Sequence, residues 1–279
     1  MKSAIIITGA TGSMGSSAVR SLAAGGHTVI MACRNMEKAD SISREILADI
    51  PAAQLFPLQV DISRMDSVRA FVAKTLELTE RNSLAITGLL NNAGIINREF
   101  RTTDDGLENT LATNFLGPFL LTGLLIPHLS DDAHIVNMVS LTCRFASIGR
   151  DFFCPDPKRF SQLGTYAGTK LALLLSSVTL NERLRQQGCR ISVNVADPGV
   201  VNSNMLHMGR WFDPLADIVF RPLCSSPDKG IRPALNALHS DRTGMYFRKD
   251  SFEPIPSRYL SDIRKDWLWQ EAERFTMSH

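Results

Sequence analysis

Short β-branched runs alternate with amphipathic stretches along most of the chain. Apolar runs of about four to eight residues between turn residues read as buried strands. They fall at Ala4–Thr8, Thr28–Cys33, Gln54–Val60, Ala85–Asn91, His134–Ser140 and Arg190–Ala196, and Met245–Phe247 adds a last short one. Between them, Ser13–Ala24, Glu37–Asp49, Arg64–Arg81, Gly106–Leu129 and Gly164–Gln187 carry helical spacing. This alternation implies a parallel sheet covered by helices on both faces. Right-handed crossovers then give an α/β doubly wound sheet of about seven strands in a single domain spanning 1–279.

The alternation breaks at 202–227, rich in Pro, Trp, Phe and Met, which reads as a substrate loop or lid. Residues 248–279 read as a C-terminal extension. Phe115–Leu129 is the most apolar long segment, but Gly117, Pro118, Gly123 and Pro127 interrupt it. It reads as a buried helix that falls short of a membrane span. The apolar start at Ala4–Ile7 runs into Gly9 too soon for a signal peptide, and no membrane anchor is expected.

Composition narrows the picture little. Apolar residues make up 44% and charged residues 21%, as in a globular protein. A net charge of +2 gives no reason to expect a nucleic-acid partner. The five cysteines are odd in number and form no CxxC pair, which favours reduced thiols and a cytoplasmic setting. The six histidines show no metal-ligand spacing, so no metal is expected.

The chemistry sits at the strand ends. Gly9, Thr11, Gly12, Ser13, Met14 and Gly15 join the first strand to the first helix. Glycines there let backbone N–H groups approach a pyrophosphate at a helix N-terminus. The second strand ends in Ala32-Cys33-Arg34-Asn35, with no acid to accept from a ribose 2′-hydroxyl. Arg34 suits a 2′-phosphate instead, which points to NADP(H) over NAD(H). Asp61, followed by Ile62, is placed to accept from an adenine amino group, or else to cap the following helix.

Tyr166 and Lys170 lie four residues apart in Thr165-Tyr166-Ala167-Gly168-Thr169-Lys170, on one helix face. An unperturbed tyrosine, with a pKa of about 10, is a poor acid–base group at neutral pH. A neighbouring ammonium should favour the phenolate and lower that value. Ser140 can donate to a substrate oxygen on which charge develops. Alone, each residue has a plain structural role: an exposed helix face, a strand-end cap, a helix-interior amide. Together, at the strand ends of one sheet, they mark a ligand site.

Asn91-Asn92-Ala93-Gly94, then Asn114, Ser140, Tyr166, Lys170 and Asp197-Pro198-Gly199-Val200-Val201-Asn202-Ser203 follow in order. This series resembles the short-chain dehydrogenase/reductase family over about Ile5 to Phe247, which implies a Rossmann fold. Finer features resemble its retinol-dehydrogenase-like branch. These are Ala32-Cys33-Arg34-Asn35, Thr103-Asp104-Asp105-Gly106-Leu107-Glu108 and the long interval from Ser140 to Tyr166. Ser226-Pro227-Asp228-Lys229-Gly230 and Gly244-Met245-Tyr246-Phe247 fit the same branch. The chain departs from that branch at Ser13, where glycine is usual, and at Ser203, where threonine is usual.

The resemblance implies hydride exchange at the nicotinamide, with Tyr166 exchanging the proton. It further implies that Lys170 binds the nicotinamide ribose and that Asn114 holds a relay water. It places Asn92, Ala93 and Gly94 in the cofactor cleft. Pro198, Gly199, Val200, Val201 and Ser203 fall near the nicotinamide. The rival of another class is a non-catalytic NADP-binding redox sensor, which need not keep the four polar residues.

The partner is expected to be a small carbonyl or alcohol. Phe145, Phe152, Phe153 and Phe160, with Met205, Leu206, Met208, Trp211 and Phe212, suggest a lipophilic one. Arg144, Arg150, His207 and Arg210 leave an acidic group open. Leu171–Leu175 reads either as core or in part as a homodimer face.

Overall fold

The computed structural model describes residues 1–199 and 225–277. Val200, Val201, Ser203, His207, Arg210 and the apolar residues Met205, Leu206, Met208, Trp211 and Phe212 of the expected loop lie outside them. Among the described residues, the strands are β1 (Lys2–Thr8), β2 (Thr28–Cys33), β3 (Gln54–Gln59), β4 (Leu84–Asn91), β5 (Leu129–Met138), β6 (Ser192–Asp197), β7 (Met245–Arg248) and β8 (Ser251–Pro254). Their order in the sheet is β3-β2-β1-β4-β5-β6-β7-β8. Every neighbouring pair is parallel except the β7–β8 hairpin. The order reverses between β1 and β4, so a crevice opens there at the carboxyl ends of the strands.

The side-chain alternation of a strand distributes residues to two cores. On β1, Ala4 and Ile6 face one core, while Ile5 and Ile7 face the other. On the second face lie α1 (Ser13–Ala24), α2 (Met36–Asp49) and α7 (Pro227–Leu238). The first face is thicker. It carries α3 (Met65–Arg81), α4 (Asn109–Leu111), α5 (Gly117–Leu125) and α6 (Gln162–Gln186). A short α8 (Ser257–Leu260) leads to α9 (Lys265–Met277), which packs on α5 and α6.

One expectation changes at the C-terminal end. The sheet has one strand more than expected, because β8 pairs with β7 although all four of its residues are exposed. With no apolar run, its only signal is the pairing itself. Residues 248–277, within the expected C-terminal extension, pack onto the fold. Leu268 and Ala272 are fully buried, Phe275 stacks on Phe153 with centroids 5.1 Å apart, and Trp269 meets Phe119 edge-on at 4.8 Å. Leu171, Ala172, Leu173, Leu174 and Leu175 are all buried within the one chain, so the core accounts for them.

Residues 109–128 also differ from expectation. They form one helical stretch of 20 residues holding an 18-residue window of mean hydropathy 1.4, enough for a span by length and composition alone. However, 72% of its apolar window is buried inside the fold. Gly117 and Pro118 do not break it, because proline is tolerated at the first turn of α5. Glu108 caps its start by accepting from the Thr110 and Leu111 N–H groups at 2.9 and 2.7 Å. Between α4 and α5 the stretch widens into a π turn, Ala112–Leu116.

If α9 is an integral layer, emptying its buried contact must cost as much as any core position. Leu268→Ala should lower the unfolding free energy by about 2–5 kcal/mol. Urea denaturation measures this, and an unchanged midpoint would show that α9 contributes nothing to the fold.

Candidate active site

The crevice at the switch point is a cleft of about 560 Å³. Gly9, Thr11, Gly12, Ser13, Met14, Gly15, Arg34, Asp61, Ile62, Asn92, Ala93 and Gly94 all line it. Lys38, Ile95 and Thr113 line it too, and nothing in their sequence setting marks them.

The glycine turn is built by close approach. Gly9 adopts φ +65, and a Cβ there would lie 2.9 Å from the Ala93 Cα. A Cβ on Gly15 would lie 2.1 Å from the Gly9 carbonyl oxygen. The α1 N-cap, Gly12, offers no side chain to its first N–H groups, which leaves them for an anion. A cradle that leaves no room for a Cβ at Gly9 or Gly15 and presents bare N–H groups fits a pyrophosphate.

Thr8 and Asn92 hold that cradle. The buried Thr8 hydroxyl accepts from the Asn92 and Ala93 N–H groups, both at 3.0 Å. The Asn92 side-chain amide donates to the Thr8 carbonyl at 3.0 Å. Its oxygen is buried without a protein partner among the described residues. At the far end, Arg34 and Lys38 are exposed cations with no ion pair among the described residues. Asp61 does not cap α3, whose N-cap is Arg64; its Oδ1 instead closes a local turn, accepting from the Ser63 N–H and hydroxyl at 3.0 and 2.7 Å.

Ser140 and Tyr166 form a second group, near enough that Ser140 acts to lower the pKa of the Tyr166 phenol. Ser140 follows β5 and also accepts from the Thr142 N–H at 3.2 Å. The ammonium of Lys170, buried at 3% exposure, lies 5.9 Å from the Tyr166 ring centroid and donates to the Met138 carbonyl at 2.7 Å. A methyl on Gly94 would stand 3.4 Å from Lys170 Nζ and 3.5 Å from Asn114 Oδ1, so the cleft wall meets Lys170 and Asn114 here.

The expected lowering of the Tyr166 pKa by Lys170 is not found. Burial pushes the Tyr166 phenol up to about 12, opposed by the neighbouring Ser140. Burial likewise brings Lys170 down to about 8. With its ammonium directed to Met138, Lys170 has the weaker influence on Tyr166. Cys143, beside the pair and buried, is pushed up to about 11 by the same desolvation.

Asn114 sits in the π turn. Its amide donates to the Ile95 carbonyl and the Thr169 hydroxyl at 2.9 and 3.2 Å, and its oxygen accepts from the Ile95 N–H at 2.8 Å. Both amide protons are thus committed. Asn114 therefore joins the end of β4 to α6, and only oxygen atoms remain for a water.

Asp197 has no role in the sequence reading beyond opening the 197–203 series, yet it is the anchor of the turn after β6. It ends β6 at 1% exposure. Its carboxylate accepts from the Gly199 N–H and the Tyr246 hydroxyl, each at 2.9 Å, with Arg248 Nε 3.8 Å away. Burial and then the Asp197 charge push the Tyr246 phenol up. This clasp fixes the Pro198–Gly199 turn. Its sequence signal was the tyrosine at a buried position of the last parallel strand, whose hydroxyl needs a partner.

Of the aromatic residues expected to border a pocket, Phe153 instead belongs to the core, against Phe275, Trp267 and Phe115. Phe152 packs on Phe153 and Phe115. Phe160 meets Phe100 edge-on at 5.9 Å, and Phe145 stands 87% exposed.

Residues 3–210 match the family described as short chain dehydrogenase. Among characterised relatives, short-chain dehydrogenase TIC 32 B of Brassica napus is 34% identical, over 95% of this chain and 85% of its own. Human retinol dehydrogenase 13 is 30% identical over 97% and 83%. Mouse retinol dehydrogenase 12 is 33% identical over 96% and 80%. A solved structure of an uncharacterized Mycobacterium paratuberculosis protein superposes with a TM-score of 0.80. It is 27% identical and covers 99% of this chain and 94% of that one.

The shifted lysine makes a stability prediction. Its folded pKa of about 8 lies below the ordinary value of 10.5. The unfolded chain therefore binds more protons between these values, and the share of stability set by Lys170 rises with pH across that window. Lys170→Met should remove this rise. The stability difference between the variant and the parent should shift against the variant between about pH 8 and about pH 9.5. Urea unfolding at both pH values reads it, and a difference that stays constant would place the lysine in water.

Proposed function

We propose, since the chain belongs to the short-chain dehydrogenase family and its retinol-dehydrogenase-like branch, that it is an NADP(H)-dependent oxidoreductase interconverting a carbonyl and an alcohol. The observation that carries this reading is one convergence. Lys170 and Asn114 stand beside Gly94, where the wall of the nucleotide-sized cleft ends, and Tyr166, with Ser140 as its neighbour, lies next to Lys170. When bound, the cofactor supplies or accepts the hydride at its nicotinamide.

The protein's own part is binding, orientation and proton transfer. Gly9, Gly12 and Gly15 with the first N–H groups of α1 would hold the pyrophosphate. Arg34, with Lys38 also lining the cleft, would hold a 2′-phosphate, since a cation rather than a carboxylate follows Cys33 at the end of β2. Asn92, whose buried oxygen lacks a partner, can accept from the bound molecule. Ser140 Oγ donates to the substrate oxygen, and Tyr166 Oη exchanges its proton with that same atom. Burial holds Tyr166 as the neutral phenol, so it starts with a proton to give. Carbonyl reduction then needs no prior ionisation, whereas alcohol oxidation needs the phenolate.

A lipophilic substrate is favoured by the exposed Phe145 in the turn just after Ser140, and by relatives named for retinol.

Arg34→Ala should weaken NADPH binding about tenfold or more, because a charge-assisted hydrogen bond to phosphate contributes roughly 1.5–3 kcal/mol. NADH binding should barely change. Titrating both cofactors checks this, and tighter NADH binding by the unmodified protein would sink the assignment.

Tyr166→Phe removes only a hydroxyl, so NADPH affinity and the melting temperature should hold while turnover on a panel of aldehydes and ketones disappears. Substantial turnover in a clean preparation would hand the proton step to another group.

A further inference from the structure

Two helices end at one point on the amino side of the sheet. α1 finishes before Gly25, and Gly26, at φ +78, turns the chain so that the His27 N–H donates to the Leu22 carbonyl at 3.0 Å. α7 packs on α1 and finishes at His239, its C-cap. The two imidazoles meet there through their Nε2 atoms, 3.3 Å apart, with ring centroids 5.4 Å apart. β2 starts one residue after His27, so the pair lies at the opposite end of the sheet from the nucleotide cleft.

The protons are placed so that a lone pair is left between the rings. His239 Nδ1 lies 2.7 Å from the Leu235 carbonyl, which only accepts, so Nδ1 carries the proton and Nε2 of the neutral ring is bare. Metal-binding histidines are oriented in the same way, by giving their other N–H to a carbonyl. Burial first, then the charge of His239, lowers the His27 pKa, which keeps that ring neutral, as a ligand must be. As a hydrogen bond the 3.3 Å separation is long, since bonds from N–H centre on about 2.9–3.0 Å. Two nitrogens that each hold a tetrahedral ion at about 2.0–2.1 Å stand roughly 3.3–3.4 Å apart.

The backbone adds charge of the right sign. The last carbonyls of a helix carry partial negative charge, which favours a cation at its final turn. Both α1 and α7 bring that end to the histidine pair.

We propose that His27 and His239 form a binding site for a divalent transition metal of the Zn²⁺, Ni²⁺ and Cu²⁺ class, which clamps the end of α1 to the end of α7. Among the described residues no third histidine, cysteine or carboxylate completes the shell, so water fills the other positions. His134 stays outside it, with Nδ1 held 2.8 Å from the Ser192 hydroxyl. Imidazole suits these metals, whereas Mg²⁺ and Ca²⁺ take oxygen ligands. Spacing along the chain could not show the site, because its two members are 212 residues apart. It does not rest on the proposed oxidoreductase chemistry.

The test titrates the untagged full chain with Zn²⁺ alone. Calorimetry should show binding that His27→Ala and His239→Ala each weaken by about tenfold or more, equivalent to about 1.4 kcal/mol. His27 is half-buried and His239 exposed, so both variants should fold, and melting temperatures without metal check this. Zn²⁺ should raise the melting temperature of the parent and of neither variant, and Mg²⁺ should raise none. With Cu²⁺ as the probe, electron paramagnetic resonance should show coupling to two imidazole nitrogens in the parent and to one in each variant. Tyr166→Phe should leave Zn²⁺ binding unchanged, which separates this site from the active site. No Zn²⁺ binding would mean that the pair only shares a proton. That result, Zn²⁺ affinity that survives either substitution in the folded variant, or coupling to fewer than two imidazoles in the parent would each overturn the proposal.

Discussion

The clasp between Thr8 and Asn92 holds together the place where the sheet changes direction. β1 and β4 are neighbours in space but lie far apart in sequence, and their carboxyl ends must stay level for the crevice to exist. One threonine hydroxyl takes two N–H groups from the β4 end, and the Asn92 amide returns a bond to the β1 end. The buried setting makes these bonds hard to replace, because a lost partner leaves an unsatisfied polar group in the interior. The glycine turn starts on one side of this clasp and the Gly94 wall on the other. The approach of Gly9 to Ala93 and of Gly94 to Lys170 both depend on it.

From that junction outward, burial governs the chemistry more than pairwise charge does. Lys170 and Tyr166 are driven toward their neutral forms, each by desolvation first. The carboxylate of Asp197 stays in the interior because two donors fill its oxygens. Asn114 achieves something similar by spending its amide on Ile95 and Thr169. The π turn that carries it places this side chain between the segment after β4 and α6.

The parts legible in the sequence were those with a strong local cause. The bounds of α1 and β2 follow from a glycine turn and from a run that opens on three β-branched residues and stays apolar to Cys33. The residues lining the nucleotide cleft came from turn chemistry, and they come together in one place. What could not be read depends on partners distant in sequence. β8 has no apolar pattern because its only support is β7. Asp197 draws its meaning from Tyr246, and Thr8 from Asn92. Phe153 looked like pocket lining because α9, which buries it, carries helical spacing too weak to announce a core layer. The direction of the Tyr166 shift failed for the same reason, since spacing reveals a neighbouring charge but not the depth at which it sits.

The two rims of the sheet carry unpaired backbone groups, and both are built so as not to recruit another chain. On one rim, β3 places Pro57 opposite Met31, which removes a backbone donor from the free edge. On the other, β8 is only four residues long and wholly exposed. Lys249 and Asp250 put charge at the tip of its hairpin. Short, charged or proline-bearing edges resist strand addition. A chain with so many buried, β-branched strands would otherwise risk growing into open-ended fibrils in a crowded cell, and its margin against that fate rests on these few edge residues.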